Sequence, residues 1–155
     1  MKATLTRLVS REAESVFKAD EETRIQRATL AAAKYTSANR LGKVTEVASH
    51  ADVYELLGSG LPEITLGTFN VLILRTCGWA APADDNECAP SVHPDRRRVA
   101  LVYAIDTASG LQVSAIRMAG NDQTIISTSD DETVPQGALA DALNDLATRI
   151  LERSK

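Results

Sequence analysis

Aromatic residues are scarce: Phe, Trp and Tyr make up 4% of the 155 residues, and Trp79 is the single tryptophan. The core must therefore pack through Leu, Val, Ile and many Ala, with little of the large buried area that aromatic rings supply. Cysteine is nearly absent. Cys77 and Cys88 form no CxxC pair, which excludes a disulfide framework and a tight zinc knuckle. Long apolar runs are missing too: the longest aliphatic run is Val71 to Leu74, against the ~20 residues of a membrane-spanning helix. Arg7, Arg11 and Glu12 interrupt any leader-like apolar stretch after Lys2. The expected setting is the cytoplasm, with both thiols reduced and no membrane partner.

The signature motifs of common chemistry are absent as well. There is no GxSxG elbow, no GxGxxG turn and no GxxxxGK[ST] loop. Gly58-Ser59-Gly60 reads as a helix stop rather than a phosphate cradle. Neither proline nor glycine occurs in residues 1–41.

What is present is ordinary globular usage, 44% hydrophobic and 25% charged, in a length that suits one domain over 1–155. The net charge is −4, unevenly spread. Residues 1–43 carry nine Lys/Arg and five Asp/Glu, and residues 44–155 carry eight and sixteen. A basic first segment lying against an acidic body, its own or another copy's, is the plain reading; an interaction arm is the sharper one.

The clearest structural signal is Val99 to Ser127. Apolar, β-rich runs there flank Thr107-Ala108-Ser109-Gly110 and Ala119-Gly120-Asn121-Asp122. Turn residues between such runs predict an antiparallel meander. Phe69 to Leu74, nearly all apolar, predicts a strand buried on both faces within Glu63–Thr76. Residues 3–39 show apolar positions at helical spacing, first Leu5, Leu8, Val9, Ala13, Val16 and Phe17, then Ile25, Ala28, Ala31, Ala32 and Tyr35. An N-terminal helical segment over 1–42 follows, as one bent helix or two. Ser49 and Asp52 mark a short helix before Gly58, and Pro135 opens a last helix with a stripe of Leu139, Leu143, Leu146 and Ile150. The expected fold is α+β: an antiparallel four- or five-stranded sheet with N-terminal and C-terminal helices packed on one face.

Residues 80–98 read as a long irregular loop, with three prolines, the acidic cluster Asp84-Asp85-Asn86-Glu87, and Cys88, His93 and Arg96-Arg97-Arg98. Loops of this length are functional or disordered. Cys77, Cys88 and His93 carry zinc-ligating chemistry, and zinc is the one cofactor to consider; no other is expected. A Cys77 nucleophile would need His50 or His93 as its base. Arg96, Arg97 and Arg98 are the best partner-binding feature, since guanidinium groups make directed bonds to carboxylate and phosphate. Strand alternation lets at most two of them share a face. The leading expectation is a non-catalytic, cytoplasmic binding or regulatory module. It would act through macromolecular interaction by its N-terminal helix and the 80–98 loop. Another protein, including a second copy of the chain, fits better than nucleic acid, because no aromatic stacking platform is visible. A small-molecule or zinc sensor using residues 77–98 is the alternative, and an enzyme ranks last for want of an assembled catalytic set.

Overall fold

A computed structural model describes residues 2–37, 40–58, 70–81, 89, 92–121, 123–128 and 138–153. Helix α1 spans Lys2–Glu22 and is followed by strands β1 (Ala28–Ala33), β2 (Tyr35–Ser37), β3 (Arg40–Leu41) and β4 (Thr45–His50). Helix α2 (Val53–Gly58) leads toward β5 (Val71–Ala80). Strands β6 (Arg97–Asp106), β7 (Gln112–Met118) and β8 (Ile125–Thr128) come next, then helix α3 (Ala138–Arg153). The main sheet is antiparallel and six-stranded in the order β4-β1-β5-β6-β7-β8, and β2 with β3 forms a separate two-stranded ribbon.

The meander stands where its turns place it. In the β6–β7 turn Gly110 takes φ +77°, open to a residue without Cβ. Asp106 accepts the Gly110 N–H at its carbonyl and the Ser109 hydroxyl at its carboxylate. Gly120 plays the same part between β7 and β8, at φ +85°.

Two expectations are corrected. First, the sheet has helices on both faces. On one side Leu5, Leu8, Val9 and Ala13 of α1 pack on Ala31, Ala33, Val71, Ile73, Val102, Ala104, Val113 and Ala115. On the other, Leu56 and Leu57 of α2 and Leu143, Leu146 and Ala147 of α3 pack on Leu30, Leu72, Leu74, Tyr103 and Ile105. The central strands are apolar on both faces: Val71 to Leu74 are each 0% exposed. One helical layer would leave half of that surface in water, at ~25 cal/mol per Å². The sheet also has six strands rather than four or five, because β1 and β4 join it.

Second, residues 28–33, 35–37 and 40–41 are strands. Spacing at 28, 31, 32 and 35 suits a helix, but Ala28-Thr29-Leu30-Ala31-Ala32-Ala33 lies between β4 and β5 with both faces covered. Alanine has weak strand preference, so tertiary pairing decides. The small side chains let helices approach both faces. The short helix exists, capped by Asp52, whose carboxylate accepts the Tyr54 and Glu55 N–H groups at 2.8 and 3.1 Å. Ser49 belongs to β4. Glu63–Phe69, residues 82–88 and Pro135 lie outside the described residues.

Ion pairs fix α1 in register on its face. Glu12 meets Arg75 Nε of β5 and Glu14 meets Arg117 Nε of β7, each at 3.0 Å. The Arg117 guanidinium also lies 4.6 Å from the Phe17 ring centre.

Leu143→Ala tests the second helical face. It should lower stability by about 2–5 kcal/mol, read as a lower denaturation midpoint in urea. Arg7→Ala on the exposed side of α1 should leave the midpoint unchanged within about 0.5 kcal/mol.

Candidate functional site

Strand alternation puts Arg75, Cys77 and Trp79 of β5, with Arg98 of β6, on the α1 face, because Val71 and Ile73 of the same parity pack there. Trp79 is the cross-strand partner of Arg98. Helix α1 ends above this pair. Its last turn carries Asp20, which is 5% exposed and buried with the helix's apolar stripe.

A carboxylate near a helix C-terminus faces the negative end of the macrodipole, and burial removes its water. Three donations and one further charge compensate. Arg98 Nε donates to Oδ2 at 2.9 Å and Arg98 NH2 to Oδ1 at 3.0 Å, a two-pronged clamp. The Ile25 N–H donates to Oδ1 at 2.8 Å, and Arg24 adds its charge at 3.7 Å. Burial by itself pushes the Asp20 pKa up. The Arg98 and Ile25 hydrogen bonds, with the Arg98 and Arg24 charges, outweigh it and hold the pKa below the ordinary 3.8. Arg98 NH2 also donates to the Ile25 carbonyl at 2.6 Å. One arginine thus closes the end of α1 and fixes the chain that leaves it.

Trp79 is surrounded by cations. The guanidinium carbons of Arg96, Arg24 and Arg98 lie 4.9, 5.1 and 5.2 Å from its ring centre. A ring has two faces, so at least two of the three cations share one. Their mutual repulsion is offset by the indole quadrupole, at ~0.5–2 kcal/mol per contact, and by Asp20. Arg96 is held further by donating to the His93 carbonyl at 3.1 Å, and Arg27 donates to Ser49 Oγ at 2.9 Å beside them. Asp20 is spent on Arg98. Exposed Asp95, Glu21 and Glu22 are the other nearby carboxylates in sequence. A cavity of about 450 Å³ opens at this end of the sheet, lined by Arg24, Arg27, Arg98, Cys77, Trp79 and Val53 among others. It is cationic on one wall and apolar on the other.

The candidate residues separate as follows. Arg96 and Arg98 share the Trp79 face, whereas Arg97 turns to the opposite one, with its guanidinium beside Gly120. Arg98 is committed to Asp20, so Arg96 is the outward member. Arg97 and Arg98 stand on β6 rather than in a loop. His93 is buried at 1% exposure, and its Nδ1 accepts the Asp95 N–H at 2.9 Å, which leaves the proton of a neutral ring on Nε2. Cys77 is half-buried. Burial first, then the charge of Asp20 and a hydrogen bond to it, push the thiol up to about 11, against the smaller opposing pull of Arg98 and Arg24. It stays protonated at neutral pH, the reverse of what a thiolate nucleophile requires. Cys88 lies outside the described residues. Among the described residues no three His, Cys, Asp or Glu side chains are grouped to hold a metal, and no helix is long and apolar enough to cross a membrane.

Asp20, Arg24 and Trp79 escaped sequence reasoning. Asp20 and Arg98 are 78 positions apart, and no local spacing links them. The one available signal was a lone tryptophan on a strand whose partner strand is entered through Arg96, Arg97 and Arg98. No protein-family model, curated protein or solved structure matches this chain.

The Asp20 pKa sets an acid-stability signature. A carboxyl group with a folded pKa below 3.8 stabilises the fold above about pH 4 and loses that contribution as pH falls through the folded value. Asp20→Asn should therefore cost about 3–5 kcal/mol at pH 7. The gap to the parent chain, read by urea unfolding across pH, should hold down to about pH 4 and narrow below it.

Proposed function

We propose that this chain is a non-catalytic binding module for another protein, and that it recognises an acidic segment of that partner at the Trp79 end of the sheet. The observation that carries the reading is the gathering of Arg24, Arg96 and Arg98 within about 5 Å of one indole centre. The three share one buried acid among the described residues: Asp20 lies 2.9 Å from Arg98 and 3.7 Å from Arg24. Stacking on an aromatic ring orders a guanidinium while leaving in-plane N–H groups for an incoming carboxylate. Arginine and tryptophan are also the residue types that dominate interface energetics. A protonated Cys77 speaks against a thiolate nucleophile at this site.

This reading narrows the contact surface to the end of α1 and the residues just before β6. The body of α1 packs on the sheet and has a structural role. Arg97, on the other face, is not part of the surface.

Trp79 is the only tryptophan, so its fluorescence reports directly on the site. A glutamate-rich peptide should change that emission and bind more weakly as salt rises, because the Debye length is ~8 Å at 0.15 M. Replacing both Arg24 and Arg96 by Ala should weaken the peptide about tenfold or more, while Arg97→Ala leaves it unchanged. Equal binding by the double variant would contradict the reading. Inorganic phosphate competing at peptide-like affinity would also contradict it, and would mark a small-anion site instead.

A further inference from the structure

Strand β5 is paired unevenly. Its ladder with β6 runs from Val71 to Ala80, but its ladder with β1 runs only from Val71 to Arg75. Beyond Arg75, β1 has given way to residues 23–27, which bend back to the end of α1 through the Ile25 N–H and carbonyl contacts. Among the described residues no strand flanks β5 on that side from Thr76 onward. The main-chain alternation can be followed across the sheet. The Ala119 N–H donates to the Arg98 carbonyl, so Arg98, Ala100 and Val102 aim their main-chain groups at β7. Leu72, Leu74 and Thr76 then exchange theirs with β6. Cys77 and Trp79 are left aiming N–H and C=O away from β6, into the 450 Å³ cavity.

From this we infer that the acidic segment binds as an extended strand added to β5 along Cys77–Trp79, an inference that rests on the binding function proposed above. Strand addition draws affinity from main-chain bonds and specificity from alternate side chains. The cavity walls set that alternation. On the α1 face an added strand meets Arg24 and the Trp79 ring. On the other face it meets Val53 and Ala28, which belong to the apolar layer under α2. The recognised segment is therefore one in which acidic and aliphatic residues alternate, with the acids toward the arginines. A block of acids followed by a block of aliphatics has the same charge and cannot satisfy both walls.

The test uses the intact chain and a short synthetic peptide of alternating Glu and Val, titrated by Trp79 fluorescence. The controls are the same sequence with its backbone nitrogens methylated and a block-ordered peptide of equal composition. The expected result is binding that N-methylation and block order each weaken about tenfold. Slowed amide exchange at Cys77 and Trp79 should accompany saturation. Equal, arginine-dependent binding of all three peptides, with exchange at those amides unchanged, would overturn strand addition and leave the cationic binding surface standing. Failure of all three to bind would overturn both.

Discussion

The clamp between Arg98 and Asp20 is the interaction on which this end of the molecule depends. Asp20 is placed where a carboxylate is least welcome, buried and at the negative end of a helix dipole, and it is held there by two Arg98 bonds of 2.9 and 3.0 Å and by the Ile25 N–H. A buried pair of this kind is poor evidence for stability, since an apolar replacement of similar volume often does as well. What it supplies is placement. It joins α1 to β6 and, through the Ile25 carbonyl, sets the path by which the chain leaves the helix and reaches β1.

Two consequences follow from that path. Arg24 is carried over the Trp79 ring from one side of the sheet's end while Arg96, just before β6, and Arg98 of β6 reach it from the other. The same bend delays the start of β1, so that among the described residues β5 runs on for the length of Thr76–Ala80 with β6 alone as its partner. Cationic wall, aromatic floor and open strand edge are thus one feature with one cause. Cys77 sits within it as a neutral thiol because burial, and then the same Asp20 charge that retains Arg98, oppose a thiolate.

Parts of this architecture were legible in the sequence because they are local. Gly110 and Gly120 mark turns whose backbone they alone fit easily, and the meander follows. Phe69 to Leu74 announced a strand covered on both faces, although the helices had been expected on one. That the arginine triplet must split between faces is a consequence of strand geometry and holds, with Arg97 apart from Arg96 and Arg98. The alanine run of β1 misled because alanine favours helix over strand, and only pairing with its neighbours β4 and β5 overrides that preference. Asp20 has its partner 78 residues away, a distance over which no periodicity speaks.

A double-mutant cycle between Asp20→Asn and Arg98→Met, read by urea unfolding at pH 7, tests the central claim most directly. The account predicts a coupling energy above about 1.5 kcal/mol, as close charged pairs show. It also predicts that either single change alters Trp79 emission, since both release the chain that carries Arg24. Additive single effects, with emission unchanged, would contradict it.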